Sequence, residues 1–170
     1  KTQCEWFLRD IQRQKIDDYP YFLDEKFLEK VDGLLKLMNF ATGIGVIGKS
    51  IYEGLENFQA FFLTNIFGWK YKEEPRKYRY RDVTLFIPRK NAKTFICAVI
   101  IIVLMLTEDE FSEFYSICLD RDLAAEVKKA ISQILQASPA MEKYFKVPRT
   151  LSGRVECTIT HSFYQPRTSQ

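Results

Sequence analysis

A lysine and a threonine stand together where a basic loop meets a long apolar stretch. Lys93 and Thr94 follow the residues PRKNA at 88–92 and precede twelve consecutive apolar residues at 95–106. The run VTLFI at 83–87 predicts a buried parallel strand, and 95–106 predicts a helix. A strand that feeds Lys-Thr at a helix start is how a phosphate-binding loop is built. Backbone N–H groups and the helix dipole face the anion, the lysine reaches the β- and γ-phosphates, and the threonine hydroxyl helps to hold Mg²⁺.

The sequence of this loop departs from the usual phosphate-loop pattern. Ile87 and Ala92 occupy the positions at which G-x-x-x-x-G-K-[ST] has glycine. The order strand, loop, helix nevertheless favours 88–94 as the phosphate loop. The alternative is a basic helix N-terminus with no catalytic role.

A second stretch satisfies the same pattern letter for letter. Residues 43–50 read GIGVIGKS, but residues 24–38 before them have helical periodicity, and Gly54 weakens a helix start after them. Because a phosphate loop needs a strand before it and a helix after it, we predict that 43–50 is a glycine-rich turn between two helices.

Composition limits the classes of protein that the chain can belong to. Its 170 residues are 46% apolar, which suits one globular core, and the net charge of +3 is too small to indicate nucleic acid by itself. The single histidine excludes zinc sites and histidine-based catalytic triads. Four cysteines without a C-x-x-C pair favour reduced thiols in a cytoplasmic protein, and an apolar run of twelve residues is too short to span a bilayer.

Periodicity predicts an α/β core behind a helical lead-in. Residues 111–119 read as a second strand, Asp120 as the cap of a helix, and 154–164 as one more strand. The order strand, helix, strand, helix predicts a parallel sheet flanked by helices. We therefore divide the chain into a helical segment, 1–54, and the first part of an α/β core, 55–170.

Gln59 is a polar residue on an apolar helix. Residues 55–67 are apolar almost all round, as in a helix buried on several sides, and Gln59 shares a face with Leu55, Phe62 and Ile66. A buried amide must be bonded. Its side chain either recognises a paired donor and acceptor, such as an adenine edge, or bonds a neighbouring backbone group.

Basic and tyrosine residues alternate at 70–81, which carry six basic and two acidic residues. Such a segment either contacts a phosphate backbone or forms a solvated hairpin with its tyrosines packed on one side. The candidate nucleic-acid contacts are Arg76, Lys77, Arg79 and Arg81.

Taken together, these segments resemble the ATPase domain of tailed-phage large terminase subunits. LENFQAFFLTNIFGW at 55–69 is similar to the family's adenine-recognition segment, and IPRKNAKT at 87–94 to its deviant Walker A loop. YSICLDRDLAAEVKKA at 115–130 and ILQASPAMEKYF at 134–145 resemble the segments that follow in the family. The resemblance implies a P-loop NTPase fold of the RecA/ASCE type that binds ATP and Mg²⁺.

The family's roles map onto matching positions of this sequence. The resemblance assigns adenine to Gln59, the β- and γ-phosphates to Lys93, Mg²⁺ to Thr94, and stabilisation of the γ-phosphate to Arg89, so that Arg89 and Lys93 are the catalytic candidates. Ala92 replaces the family's usual glycine, and its methyl group requires a backbone conformation open to other residues. The implied nucleotide-binding set is Gln59, Pro88, Arg89, Lys90, Asn91, Ala92, Lys93 and Thr94.

The family's Walker B aspartate and catalytic glutamate are not found in this stretch. No apolar run ending directly in Asp-Glu precedes Gln170. We expect the sequence to be the N-terminal part of a packaging ATPase with an incomplete core, unable to turn over ATP at a useful rate alone.

Partners and setting are also implied by the resemblance. They are double-stranded DNA, a portal protein, a small terminase subunit and a homo-oligomeric ring on the capsid, in the host bacterial cytoplasm and without a membrane. Two alternatives stay open: a helicase-like nucleic-acid-dependent ATPase, and a non-catalytic adaptor that docks DNA or a capsid component through 70–81.

Overall fold

The computed structural model of the chain describes residues 2–150 and 153–168. The helices are α1 (Thr2–Arg13), α2 (Glu25–Leu37), α3 (Ile51–Gly54), α4 (Asn57–Gly68), α5 (Lys93–Thr107), α6 (Arg121–Gln136) and α7 (Pro139–Glu142). The strands are β1 (Tyr21–Leu23), β2 (Trp69–Tyr71), β3 (Glu113–Cys118), β4 (Phe145–Lys146), β5 (Val155–Cys157) and β6 (Phe163–Thr168).

Contacts divide the chain into two compact units. The first contains the residues up to 32 together with 56–85, and the second contains 33–55 and the residues from 86 onward. The predicted division into 1–54 and 55–170 follows the motifs and not the packing, and it stays a prediction.

The first unit packs α1 and α4 around a small antiparallel ribbon of β1 and β2. Leu23 pairs with Trp69 in this ribbon, and Trp69 is fully buried. The ring of Phe7 packs edge-on against Trp69, with centroids 5.8 Å apart. Gly68 allows the side chains of Leu23 and Leu28 to pack against the end of α4, because a Cβ there would lie 2.7 Å from Leu23 Cδ1 and 2.9 Å from Leu28 Cδ1.

The second unit is a mixed α/β layer in which helices flank a four-stranded sheet of order β3-β6-β5-β4. β3 and β6 are parallel, from Glu113 opposite Phe163 to Cys118 opposite Thr168, and the other two pairings are antiparallel. α5 and α6 pack on one another and on the sheet. The class predicted from the sequence is therefore confirmed, with a sheet that is only partly parallel.

Helix α5 forms the centre of the second unit because it is apolar on most sides. Six of its residues are buried: Ile96, Ala98, Val99, Ile102, Val103 and Met105. At its C-terminal end, the hydroxyls of Thr160 and Ser162 donate to the carbonyl oxygen of Met105, over 2.5 and 2.9 Å. These bonds satisfy a terminal carbonyl and tie the helix to the chain ahead of β6.

Two predicted strands are corrected. Residues 83–87 form no strand and pair with no described strand, and Phe86 is 97% exposed, so the predicted buried strand before the loop is wrong. The predicted single strand 154–164 is in fact β5 and the start of β6, because a turn at 158–160 and the positive φ of His161 (55°) reverse the chain. The predicted strand 111–119 and the helix capped by Asp120 are present as β3 and α6.

Candidate functional site

The loop 88–94 lies wholly in the second unit and ends in the first turn of α5. Lys90 and Ala92 both have left-handed backbone, with φ of 66° and 56°. A left-handed residue followed by helical residues turns successive N–H groups toward one point, which forms an anion-binding concavity. The loop thus adopts left-handed backbone at two positions without glycine.

Ala92 is the position at which this geometry has a cost. It is the N-cap of α5, with φ 56° and ψ 29°, and its side chain makes no capping hydrogen bond. For a residue with a Cβ, left-handed backbone costs about 1–2 kcal/mol. The conformation is the one that the family's glycine would adopt freely.

The ammonium of Lys93 is held by carbonyl oxygens of its own loop. Nζ donates to the carbonyl oxygen of Ile87 over 2.6 Å and to that of Pro88 over 3.3 Å. Asn91 closes the same turn, because its Nδ2 donates to the carbonyl oxygen of Arg89 over 3.1 Å. Among the described residues, no ion pair involves Lys93, so its positive charge is not neutralised by a carboxylate.

The other predicted loop residues face solvent. Pro88, Arg89, Lys90 and Thr94 are exposed. Phe95, in the first turn of α5, stacks on Phe40, with ring centroids 4.8 Å apart and planes 16° apart. The start of α5 is thus fixed by an aromatic pair, while the polar side chains at the helix start stay accessible.

Gln59 lies in the first unit, at the N-terminus of α4. Its side chain is 6% exposed, and its Oε1 accepts the backbone N–H of Glu56 over 3.0 Å, as part of a capping box. One of the two roles considered for the Gln59 amide, a hydrogen bond to a neighbouring backbone group, is therefore present. The adenine contact stays a prediction.

The basic segment 70–81 forms a hairpin, which is one of the two alternatives that the sequence left open, although part of it is buried rather than solvated. Lys70 bridges to Tyr78, and the N–H of Arg79 donates to the carbonyl oxygen of Trp69 over 2.9 Å. Lys70 is 6% exposed and lies 3.5 Å from Asp24, with its ammonium 3.6 Å from the ring centroid of Phe27. Lys70 is thus buried and paired with Asp24, so its positive charge is not presented on the surface of the hairpin.

Arg79 is the clearest case of a basic residue used for packing. Its Nη1 donates to Asp10 Oδ2 over 2.7 Å and to the hydroxyl of Tyr19 over 3.0 Å. Burial, followed by hydrogen bonding to Asp10, raises the pKa of Tyr19 to about 12. Asp10 is 8% exposed, and the sequence analysis missed it. A signal was available, since this carboxylate stands between Phe7 and Ile11 on the inner face of α1.

The remaining candidate nucleic-acid contacts are more accessible. Lys77 lies 3.3 Å from Glu74 on the surface, and Arg76 and Arg81 are exposed. Their contact with DNA stays a prediction.

The glycine-rich stretch 43–50 lies between α2 and α3, as predicted. The N–H of Phe40 donates to the carbonyl oxygen of Lys49 over 3.0 Å, and the N–H of Gly48 donates back to that of Phe40 over 2.9 Å. Ser50 caps α3 by accepting the N–H of Glu53 over 3.3 Å. No strand enters this loop, and the helix that follows it has only four residues.

Among the described residues, no group of three or more histidine, cysteine or carboxylate side chains could hold a metal ion. None of the helices described has the length and apolar character needed to cross a membrane.

These features define an α/β domain with a helix-flanked, partly parallel sheet and a basic loop at the start of its central helix. A family model, described as terminase large subunit, ATPase domain, matches residues 57–169. The chain therefore belongs to the terminase large subunit ATPase domain family.

A solved structure has the same fold. The large terminase of bacteriophage HK97 superposes with a TM-score of 0.63 at 17% identity, over 84% of this chain and 27% of that protein. The chain thus spans about a quarter of the length of that terminase. No protein of curated function matches the sequence.

Proposed function

We propose that this chain is the ATP-binding part of a viral DNA-packaging motor, a large terminase subunit that couples ATP hydrolysis to the translocation of double-stranded DNA into procapsids. The family match supports the terminase assignment over the helicase-like alternative. The observation that carries the proposal for the ATP site is the left-handed turn at Ala92, which leads into α5 beside an ammonium without a carboxylate partner.

In the proposed site, the loop N–H groups and Lys93 bind the β- and γ-phosphates. Lys93 Nζ has three donors, of which two are used on loop carbonyls, so one can point at a phosphate oxygen. Arg89 is exposed and carries a planar, permanently charged fork that suits the spread charge of a leaving phosphoryl group. Thr94 offers its exposed hydroxyl to Mg²⁺, which would neutralise phosphate charge when bound.

Gln59 is proposed as an adenine contact on the family resemblance alone. Because its Oε1 already accepts a backbone N–H, its remaining bonding capacity toward a base is in its Nε2 donors. The partners proposed for the intact protein are double-stranded DNA, a portal protein, a small terminase subunit and further copies in a ring, in the host cytoplasm.

A nucleotide titration with two matched lysine variants tests the site. We expect a fluorescent ATP analogue to bind the chain in the presence of Mg²⁺, and Lys93→Ala to weaken binding at least tenfold, about the 1.4 kcal/mol of one lost charge-assisted bond. Lys49→Ala removes the lysine of the glycine-rich stretch 43–50, which matches the phosphate-loop pattern in full, and should leave binding unchanged. Loss of binding in Lys49→Ala with retention in Lys93→Ala would refute the proposal.

A further inference from the structure

A pocket in the first unit combines guanidinium groups with exposed aromatic rings. It has a volume of about 290 Å³ and is walled by α1, α4 and the hairpin after β2. Trp6, Arg9 and Arg13 reach it from one face of α1, at helical spacings of three and four residues, and Arg79 and Tyr80 reach it from the hairpin. None of these residues belongs to the phosphate loop 88–94.

The charge of this pocket is positive and only partly neutralised. Three guanidinium groups line it, and Asp10 is its one carboxylate, 2.7 Å from Arg79 and 3.9 Å from Arg13. Asp10 and Arg79 are largely buried, so this pair forms a fixed base, whereas Arg9 and Arg13 are exposed. Two positive charges are therefore left for an anion, and guanidinium groups bind phosphate oxygens in pairs.

The aromatic rings give the pocket a second binding element. Trp6 is 49% exposed and Tyr80 36% exposed, so both present ring surface to solvent. Arg79 is held in place by rings on several sides, with Cζ 4.4 Å from the ring centroid of Tyr21 and 5.3 Å from that of Trp69. A carboxylate ligand alone would use only the charges, whereas a nucleotide uses both elements: its phosphate meets the guanidiniums and its base stacks on a ring.

We propose that this pocket, which we call the α1 pocket, binds one nucleotide unit, with the base on Trp6 and the phosphate on Arg9 and Arg13. The same chemistry is offered by a free mononucleotide and by a nucleotide within a single strand of DNA. The α1 pocket shares no residue with the proposed ATP site, so the two proposals can fail independently.

The test is made in the Lys93→Ala background, so that the phosphate loop does not contribute. Fluorescence anisotropy of a labelled single-stranded oligodeoxynucleotide is followed, with deoxyadenosine monophosphate as competitor. We expect saturable binding that Trp6→Leu weakens about tenfold, as for one lost stacked base. Competition by the mononucleotide would assign the pocket to free nucleotides, and its absence would assign it to DNA strands.

Two arginine variants separate a site from general attraction to a basic protein. Arg9→Gln removes a charge from the α1 pocket, and Arg149→Gln removes a matched, exposed charge elsewhere in the chain. We expect Arg9→Gln to weaken binding severalfold and Arg149→Gln to change it less than twofold. The proposal is overturned if neither ligand binds, if the two arginine variants weaken binding equally, or if Trp6→Leu has no effect. Both substituted arginines and Trp6 are exposed, and a thermal melt checks that each variant is folded.

Discussion

The ammonium nitrogen of Lys93 lies 2.6 Å from the carbonyl oxygen of Ile87, six residues earlier in the chain. This bond runs from the first residue of α5 back across the turn, so the lysine braces the loop that it belongs to. An ammonium suits this position because it is compact and its donors rotate freely. The bond therefore links the shape of the loop to the identity of one side chain.

Arginine should not replace this lysine. A planar fork cannot fit between the carbonyl oxygens of Ile87 and Pro88 as an ammonium does, so Lys93→Arg should weaken ATP binding nearly as much as Lys93→Ala, although it keeps the charge. Titration with a fluorescent ATP analogue measures this. Binding by Lys93→Arg at the wild-type level would show that only charge matters at this position.

Ala92→Gly should stabilise the protein. Glycine adopts left-handed backbone without the steric cost that alanine bears at φ 56°, and after the larger unfolded-state entropy of glycine is subtracted we expect a gain of about 1 kcal/mol in the free energy of unfolding. Ala130→Gly, inside α6, is the matched control and should lose about 1 kcal/mol. Urea denaturation measures both, and a loss in Ala92→Gly would contradict the assigned backbone.

Two substitutions of Gln59 should separate capping from base recognition. Gln59→Glu keeps an oxygen for the N–H of Glu56 and so preserves the cap, but it removes the amide donors. Gln59→Ala removes both, and should cost about 1 kcal/mol of stability. If the side chain contacts adenine, both variants lose preference for ATP over GTP, measured by competition. Unchanged preference in both would leave Gln59 a capping residue only.

The pair of Asp10 and Arg79 should be worth more than a surface ion pair. Because both groups are largely buried, Asp10→Asn leaves a guanidinium without its carboxylate and should cost about 3 kcal/mol in the free energy of unfolding. Glu74→Gln, which removes the partner of Lys77 on the surface, should cost under about 1 kcal/mol. Denaturant titration measures the free energy of unfolding of both variants. Equal losses would mean that the buried pair stabilises the protein no more than the surface pair does.

Stability should fall at alkaline pH in part through Tyr19. The pKa of its phenol rises from 10.0 to about 12 on folding, through burial and the bond to Asp10. Between these values the unfolded chain loses the proton while the folded chain keeps it, so the free energy of unfolding decreases as pH rises from 10 to 12. Tyr19→Phe should make this decrease less steep, as followed by urea titrations across that range. An identical slope in the variant would show that Tyr19 does not contribute.

Local signals in the sequence were sufficient where a residue acts on its own neighbours. Asp120 was identified as a helix cap, and its Oδ1 accepts the N–H of Asp122 over 2.6 Å at the start of α6. The helical periodicity around 43–50 was also enough to place that glycine-rich stretch between two helices, α2 and α3. Both features depend on contacts within a few residues, which a pattern can encode.

Long-range relationships were less accessible. The bond between Asp10 and Arg79 joins residues 69 positions apart, and no spacing rule could pair them. The run 83–87 has the composition of a buried strand, yet composition does not state whether a neighbouring strand is there to pair with it. Alternation at 154–164 likewise could not reveal the left-handed residue His161, at which the chain reverses.

The exposed run 83–87 has a practical consequence for the purified chain. Phe86 is almost fully exposed, and among the described residues no strand pairs with this run. Such a segment is a template for strand addition, so concentrated solutions should self-associate through it. A lysine at position 86 would discourage that association, which makes Phe86→Lys a useful form of the protein for binding measurements.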